Sequence, residues 1–156
     1  IDHRNYDNRE LFDSEVLAVL NEAKTEYVIL AGFMRILTPI IINPFLGRLI
    51  NIHPSLLPKY PGLNTHQRAI DAGDKEAGAT VHFVTKELDN GPAIAQTRVQ
   101  ILPTDTAETL AKKILAKEHQ IYPLCVQLLI EKKIALKGNK AIMDGCVLPE
   151  TGIIHA

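Results

Sequence analysis

Two short apolar runs, each closed by a residue that ends a strand, do most to constrain this chain. Tyr27-Val28-Ile29-Leu30-Ala31 runs into Gly32-Phe33, and Leu49-Ile50 passes through Asn51-Ile52-His53 to Pro54. A continuous apolar run too short for a helix reads as a strand buried on both faces, the habit of parallel sheets. Pro54 has no N–H to donate to a ladder, so the second strand stops there. Such strands need helices between them.

The flanking segments supply that helical periodicity. Asn8 to Ala23 carries Leu11, Phe12, Val16, Val19 and Leu20 near helical spacing, with Glu10, Asp13 and Glu15 between them. Thr38-Pro39 is a helix start, N-cap then first turn, for Ile40 to Leu46. Asn64 or Thr65 opens a helix through Ala72, which Gly73 ends. Ala79 to Thr85 is β-branched and strand-like, and Ala93 to Ile101 alternates as a strand with one exposed face. Thr106 to Lys133 is a long helical tract, kinked or broken near Pro123. From Gly138 onward, short strands and loops are expected. The order predicts a single α/β domain over residues 1–156, a mostly parallel open sheet flanked by helices.

A chain of 156 residues can bury a sizeable core, and 46% hydrophobic with 22% charged residues is ordinary for a globular domain. A net charge of −1 shows no nucleic-acid footprint. The apolar runs are far too short to span a bilayer, and no secretory pattern opens the chain. Cys125 and Cys146 lack CxxC spacing and read as reduced thiols, which predicts a cytoplasmic protein.

Residues i and i+2 of a strand share a face, so Asn51 and His53 leave the second strand side by side. Ligands of open α/β sheets sit at that carboxyl edge. An Asn and a His beside a proline turn also serve simply to tie a loop. Asp89, in Leu88-Asp89-Asn90-Gly91-Pro92, is either an ordinary turn residue or a carboxylate that folds back on His53 and favours its charged form. His66 and His82 read as structural or rim residues, and no metal-ligand spacing joins them to His53. No Walker loop and no GxSxG is present. An amide donor, an imidazole and a carboxylate suit acyl-type transfer. Without an obvious Ser or Cys nucleophile, the acyl group would pass directly between two bound substrates.

Several blocks carry a resemblance: Ala31-Gly32-Phe33-Met34-Arg35-Ile36-Leu37, Asn51 to Leu63, Gly78 to Thr85, Leu88 to Pro92 and Glu118-His119-Gln120-Ile121-Tyr122-Pro123. In this order, over essentially the whole chain, they resemble the phosphoribosylglycinamide formyltransferase family, with its Rossmann-like formyltransferase fold. The resemblance implies formyl transfer from 10-formyltetrahydrofolate to the amine of glycinamide ribonucleotide in purine biosynthesis. It implies that Asn51 binds the formyl oxygen, that His53 donates a proton, and that Asp89 raises the pKa of His53 and helps move the amine proton. Folate contacts would come from Arg9, Met34, Arg35, Ile36, Leu37, Asn51 and the loop Thr85, Lys86, Glu87, Leu88 and Asp89. Arg9 is otherwise a solvated charge at a helix start. Glu118 would hold ribose hydroxyls, and Leu115 stands where the family can place a polar substrate contact, so only its backbone or neighbours could serve. The partners implied are these small molecules, with no nucleic acid, no membrane and no metal; monomer and homodimer both stay open.

The family pattern opens with a strand and a Gly/Ser-rich phosphate-binding turn that this sequence does not contain, which predicts a fragment, or a chain whose partner piece is elsewhere, with the first strands of the sheet missing. Three rival readings remain. A formyltetrahydrofolate hydrolase would use water as acceptor, although Pro54 and Lys59-Tyr60-Pro61-Gly62 fit the transferase better. A methionyl-tRNA formyltransferase would need a basic C-terminal RNA-binding domain. A folate-binding fragment without activity is the third.

Overall fold

The computed structural model describes residues 1–155. After a 3-10 turn at His3–Asn5, helix α1 (Arg9–Glu22) starts where Asn8 accepts a hydrogen bond from the Leu11 N–H at 2.8 Å. Its inward face holds Phe12, Val16, Leu17 and Leu20, while Leu11 and Val19 are exposed. Strand β1 (Val28–Leu30) follows, then helix α2 (Pro39–Ile42), which is shorter than the sequence predicts. Thr38 has the extended N-cap conformation but makes no side-chain cap bond. Its own N–H instead donates to the buried carboxylate of Asp13 at 2.6 Å, tying α1 to the start of α2.

Strand β2 (Leu49–His53) pairs in parallel with β1. After α3 (Thr65–Asp71), β3 (Glu76–Phe83) runs antiparallel to β2, and β4 (Ala93–Gln100) runs antiparallel to β3. Helix α4 (Ala107–Ile130) then crosses the sheet. Strands β5 (Ile134–Lys137), β6 (Lys140–Met143) and β7 (Cys146–Val147) form a small antiparallel sheet. Strand β8 (Ile153–His155) returns to lie parallel to β4. The main sheet has the order β1-β2-β3-β4-β8, so all of its described strands except β3 point the same way. The α/β fold read from the sequence is the fold observed.

Successive residues of β2 separate the two cores. Ile50 and Ile52 face α4, where Leu110, Ile114, Ile121, Cys125 and Leu129 pack on the sheet. Leu49 faces the other way, against Ile41, Ile42 and Phe45. Asn51 and His53 share the face of Leu49 but lie beyond that cluster, at the strand's carboxyl end.

Three expectations change. Strand β1 is not buried on both faces: it ends the row of described strands, and Ile29 is 37% exposed. Strand β4 is buried continuously from Ala93 to Thr97 and alternates only at its far end. It lies between β3 and β8 rather than at an edge, a neighbourhood its local pattern cannot reveal. Helix α4 is not broken at Pro123 but continues to Ile130. The bond that proline forfeits is the one to His119, and both residues are solvent-exposed, so water can satisfy the orphan carbonyl while Ile121 and Cys125 stay docked. Beside it, the Tyr122 hydroxyl donates to the Leu30 carbonyl at 2.5 Å and lies 3.2 Å from that of Ile50, fastening α4 to β1 and β2 just before the segments that line the site.

Candidate active site

The carboxyl end of β2 delivers Asn51 and His53 into a cleft of about 720 Å³. Segment 32–36 after β1, the loop 62–66, Asp89, and Leu115 and Glu118 from α4 form its walls. His53 is buried, and its ring is held from both sides. Nε2 lies 2.9 Å from the Tyr60 carbonyl and Nδ1 lies 3.4 Å from Asp89 Oδ2. Both neighbours are acceptors, so each ring nitrogen faces a group that would take its proton in a hydrogen bond.

Asp89 reaches this point from a loop. Its φ of 50° is left-handed, a conformation Asp tolerates better than most residues. Oδ2 accepts the Gly62 N–H at 2.9 Å, and Oδ1 lies 3.9 Å from His82 Nε2. The carboxylate therefore stands between two histidines and closes the 60–64 loop over His53. Lys59 and Tyr60 anchor that loop through Asp74 at 2.9 and 3.0 Å, and Arg68 donates to the carbonyls of Pro61 and Leu63. Beneath the turn, Thr80 Oγ1 donates to the Ser55 carbonyl and accepts the Leu57 N–H, and the buried Gln96 amide donates to the Leu57 carbonyl at 2.8 Å.

The thiols and hydroxyls nearby are not poised as nucleophiles. The Ser55 hydroxyl is buried and donates to the Lys59 carbonyl at 2.6 Å. Burial pushes the Cys125 thiol up to about 12, and Cys146 is exposed on β7 in the small sheet. Among the described residues, no cluster of His, Cys, Asp and Glu could hold a metal ion.

Of the residues singled out in the sequence, Asn51, His53 and Asp89 come together. A narrower recess beside Asn51 is walled by Ile36, Leu37, Val84 and the 85–89 loop. Arg35 and Met34 flank the larger cleft. The Arg35 guanidinium also sits 4.9 Å from the centre of the Phe12 ring, an attractive cation–ring contact. Thr85 donates to Glu87 at 3.3 Å, and Lys86, Glu87 and Leu88 are exposed. Glu118 is half-buried, and desolvation raises its pKa against a weaker opposing pull from His119. Leu115 is exposed on the cleft wall. Arg9 is exposed in the first turn of α1 and lines neither cavity.

His82 reads from sequence as only a structural or rim residue, and Glu108 and Lys112, which line the cleft from α4, are not singled out there. His82 is almost fully buried and directly opposite Asn51 in the β2–β3 ladder. The signal is non-local: it appears only when two strands 31 residues apart are put in register.

The formyl transferase family model matches residues 1–126. The chain belongs to the formyl transferase family. It is 44% identical over 147 residues to the phosphoribosylglycinamide formyltransferase of Escherichia coli (strain K12), a match spanning 94% of this chain and 69% of that protein. The solved phosphoribosylglycinamide formyltransferase of Coxiella burnetii superposes with a TM-score of 0.93 at 42% identity, covering 99% of this chain and 72% of that one. A formyltetrahydrofolate deformylase from Pseudomonas syringae pv. tomato str. DC3000 shares the fold at a TM-score of 0.82 and 30% identity, over 87% of this chain and 46% of its own. This formyltransferase has, among its described residues, no helix long and apolar enough to cross a membrane.

Proposed function

We propose that this formyltransferase moves a formyl group from 10-formyltetrahydrofolate to the amine of glycinamide ribonucleotide, in the cytoplasm, by direct transfer at Asn51, His53 and Asp89. The observation that carries the reading is the convergence of the three side chains, two from β2 and one from a distant loop, at the mouth of a cleft large enough for two small substrates. The kinship with phosphoribosylglycinamide formyltransferases supports the choice of acceptor.

In this mechanism the acceptor nitrogen attacks the formyl carbon, and the carbonyl oxygen becomes an oxyanion. Asn51 donates an amide N–H to that oxygen. The bond from the formyl carbon to the donor nitrogen then breaks, and that nitrogen takes a proton from His53. Asp89 receives the proton lost by the acceptor amine, directly or through water, and returns it to the imidazole. For His53 to reach the substrate, the Tyr60 carbonyl must give way, so the 60–64 loop shifts when substrates bind. The apolar recess with its 85–89 rim and with Arg35, Ile36 and Leu37 in its wall suits a flat pterin ring, while Met34 on the larger cleft and Arg9, outside both cavities, are assigned to the rest of the donor. Glu118, with Leu115 beside it, is assigned to the acceptor's ribose.

The test is to give the full-length protein 10-formyltetrahydrofolate with and without glycinamide ribonucleotide. Formylated product that appears only with acceptor supports the reading. Loss of formyl without acceptor establishes a hydrolase instead, and donor binding with neither reaction refutes catalysis.

A further inference from the structure

The geometry points to His82 as a positioning residue that sets the orientation of the Asn51 carboxamide. The inference rests on the transfer role proposed for Asn51 and adds the question of what aims it. An amide side chain has two ends of nearly equal shape, one donating and one accepting. If the wrong end faced the formyl oxygen, Asn51 would repel the developing oxyanion. Something fixed must therefore select the nitrogen end.

His82 has the chemistry to do so. Its Nδ1 lies 2.9 Å from its neighbour's carbonyl, Phe83 O, so the ring N–H of a neutral imidazole donates there. Nε2 is then left with a lone pair and acts as an acceptor. That lone pair lies 3.4 Å from Asn51 Nδ2, so it takes one of the two amide protons and leaves the other for a ligand. The two residues are directly opposite in an antiparallel ladder, which places both side chains on one face within reach of each other.

Two further observations support this. The β3–β4 register slips between Val81 and His82, an irregularity of the kind that re-aims a side chain beside a functional site. Burial is the largest influence on His82 and depresses its pKa, with the His53 ring acting in the same direction, while the Phe83 carbonyl and Asp89 oppose it. The neutral ring therefore persists at neutral pH, and Nε2 stays an acceptor.

The experiment is a double-mutant cycle in the full-length protein, with 10-formyltetrahydrofolate and glycinamide ribonucleotide as substrates. The variants are Asn51→Ala, His82→Phe, the two combined, and His82→Gln, whose side-chain oxygen falls near the place of Nε2. Misaiming one group is expected to cost roughly 10- to 100-fold in kcat for His82→Phe with little change in either KM. His82→Gln recovers much of that loss. The double variant is expected to be no slower than Asn51→Ala, because an alanine has no orientation to lose. Where His82→Phe does not melt cooperatively, His82→Leu takes its place in the cycle. Unchanged kcat in the folded His82 variant, or a loss that multiplies in full with that of Asn51→Ala, overturns the inference. Wild-type turnover in Asn51→Ala overturns the role of Asn51 itself, and this inference with it.

Discussion

Gly91→Ala isolates the placement of Asp89 from its chemistry. A Cβ built on Gly91 would lie 1.8 Å from the Phe83 carbonyl oxygen, against the 3.4 Å at which ordinary contact begins, so the loop must retreat by about 1.6 Å. It cannot slide away by hinging at its far end, because the Pro92 carbonyl accepts the Phe83 N–H at 3.0 Å. The displacement falls on residues 88–90. Asp89 Oδ2 holds the Gly62 N–H at 2.9 Å and faces His53 Nδ1 at 3.4 Å. A shift of that size carries both beyond hydrogen-bond range. Misplacement by about 1 Å costs on the order of 100-fold in rate, so kcat should fall by that factor although no functional side chain has changed. Overpacking should also lower stability by about 1–3 kcal/mol, read from urea denaturation. The control is Asp89→Asn: if Gly91→Ala acts through Asp89, the double variant is no slower than Asp89→Asn alone. Wild-type kcat in a folded Gly91→Ala would refute the claim that this close approach sets the carboxylate.

Asn51→Ala or His53→Ala should each lower turnover by about 10²-fold or more, the usual cost of one oxyanion donor or proton-transfer group, checked by initial rates of formyl transfer. Gln96→Leu strips the buried donor from the Leu57 carbonyl and should cost about 1–3 kcal/mol in urea denaturation. Asp74 has a pKa depressed below 3.8, first by its hydrogen bond from Lys59 and then by that from Tyr60. Its contribution is therefore present above the unfolded pKa and lost as pH falls through the lower folded value, so acid melts of Asp74→Asn should show a shallower decline across that window. The Lys59 end of the pair is solvent-exposed and Asp74 only half-buried, so the effect should also shrink in high salt.

The parts of the fold that the sequence exposes are those decided locally. Asn8 and Thr38-Pro39 mark helix starts because an N-cap conformation and a fixed proline φ are properties of a few neighbouring residues. The runs at Tyr27 and Leu49 mark strands by their unbroken apolar character, although only β2 is buried on both faces, β1 lying at the end of the described sheet with Ile29 exposed. The direction of β3, the burial of β4 and the return of β8 are set by which strands become neighbours, and no single segment contains that information. The site divides in the same way. Asn51 and His53 are legible together because two residues of one strand share a face. His82 looks like a core residue until the register puts it opposite Asn51.

That division has a mechanical counterpart. Asn51 and His82 sit on paired central strands, where a change of orientation would break the ladder, so the amide donor is held by the rigid part of the domain. Asp89 and the Tyr60 carbonyl come from loops held by side chains such as Asp74 and Arg68, with less buried surface to secure them. Under the proposed mechanism the oxyanion donor would thus be preorganised, as electrostatic stabilisation requires, whereas the groups that contact the imidazole come from loops. A reaction that must stabilise charge at one fixed point, yet release a proton from a ring covered by a carbonyl, is served by that asymmetry. Displacing the 60–64 loop by Gly62→Ala tests it. The residue has a φ of +78°, which penalises a side chain, yet has open space around its Cβ position. The strain should therefore shift the loop's resting position without a clash, changing proton transfer at His53 while leaving Asn51 undisturbed. In kinetic terms the variant should change the pH profile of kcat, and its loss should multiply with that of His82→Phe, since the two act on different groups. A loss that fails to multiply would mean that the loop and the strand pair move as one unit.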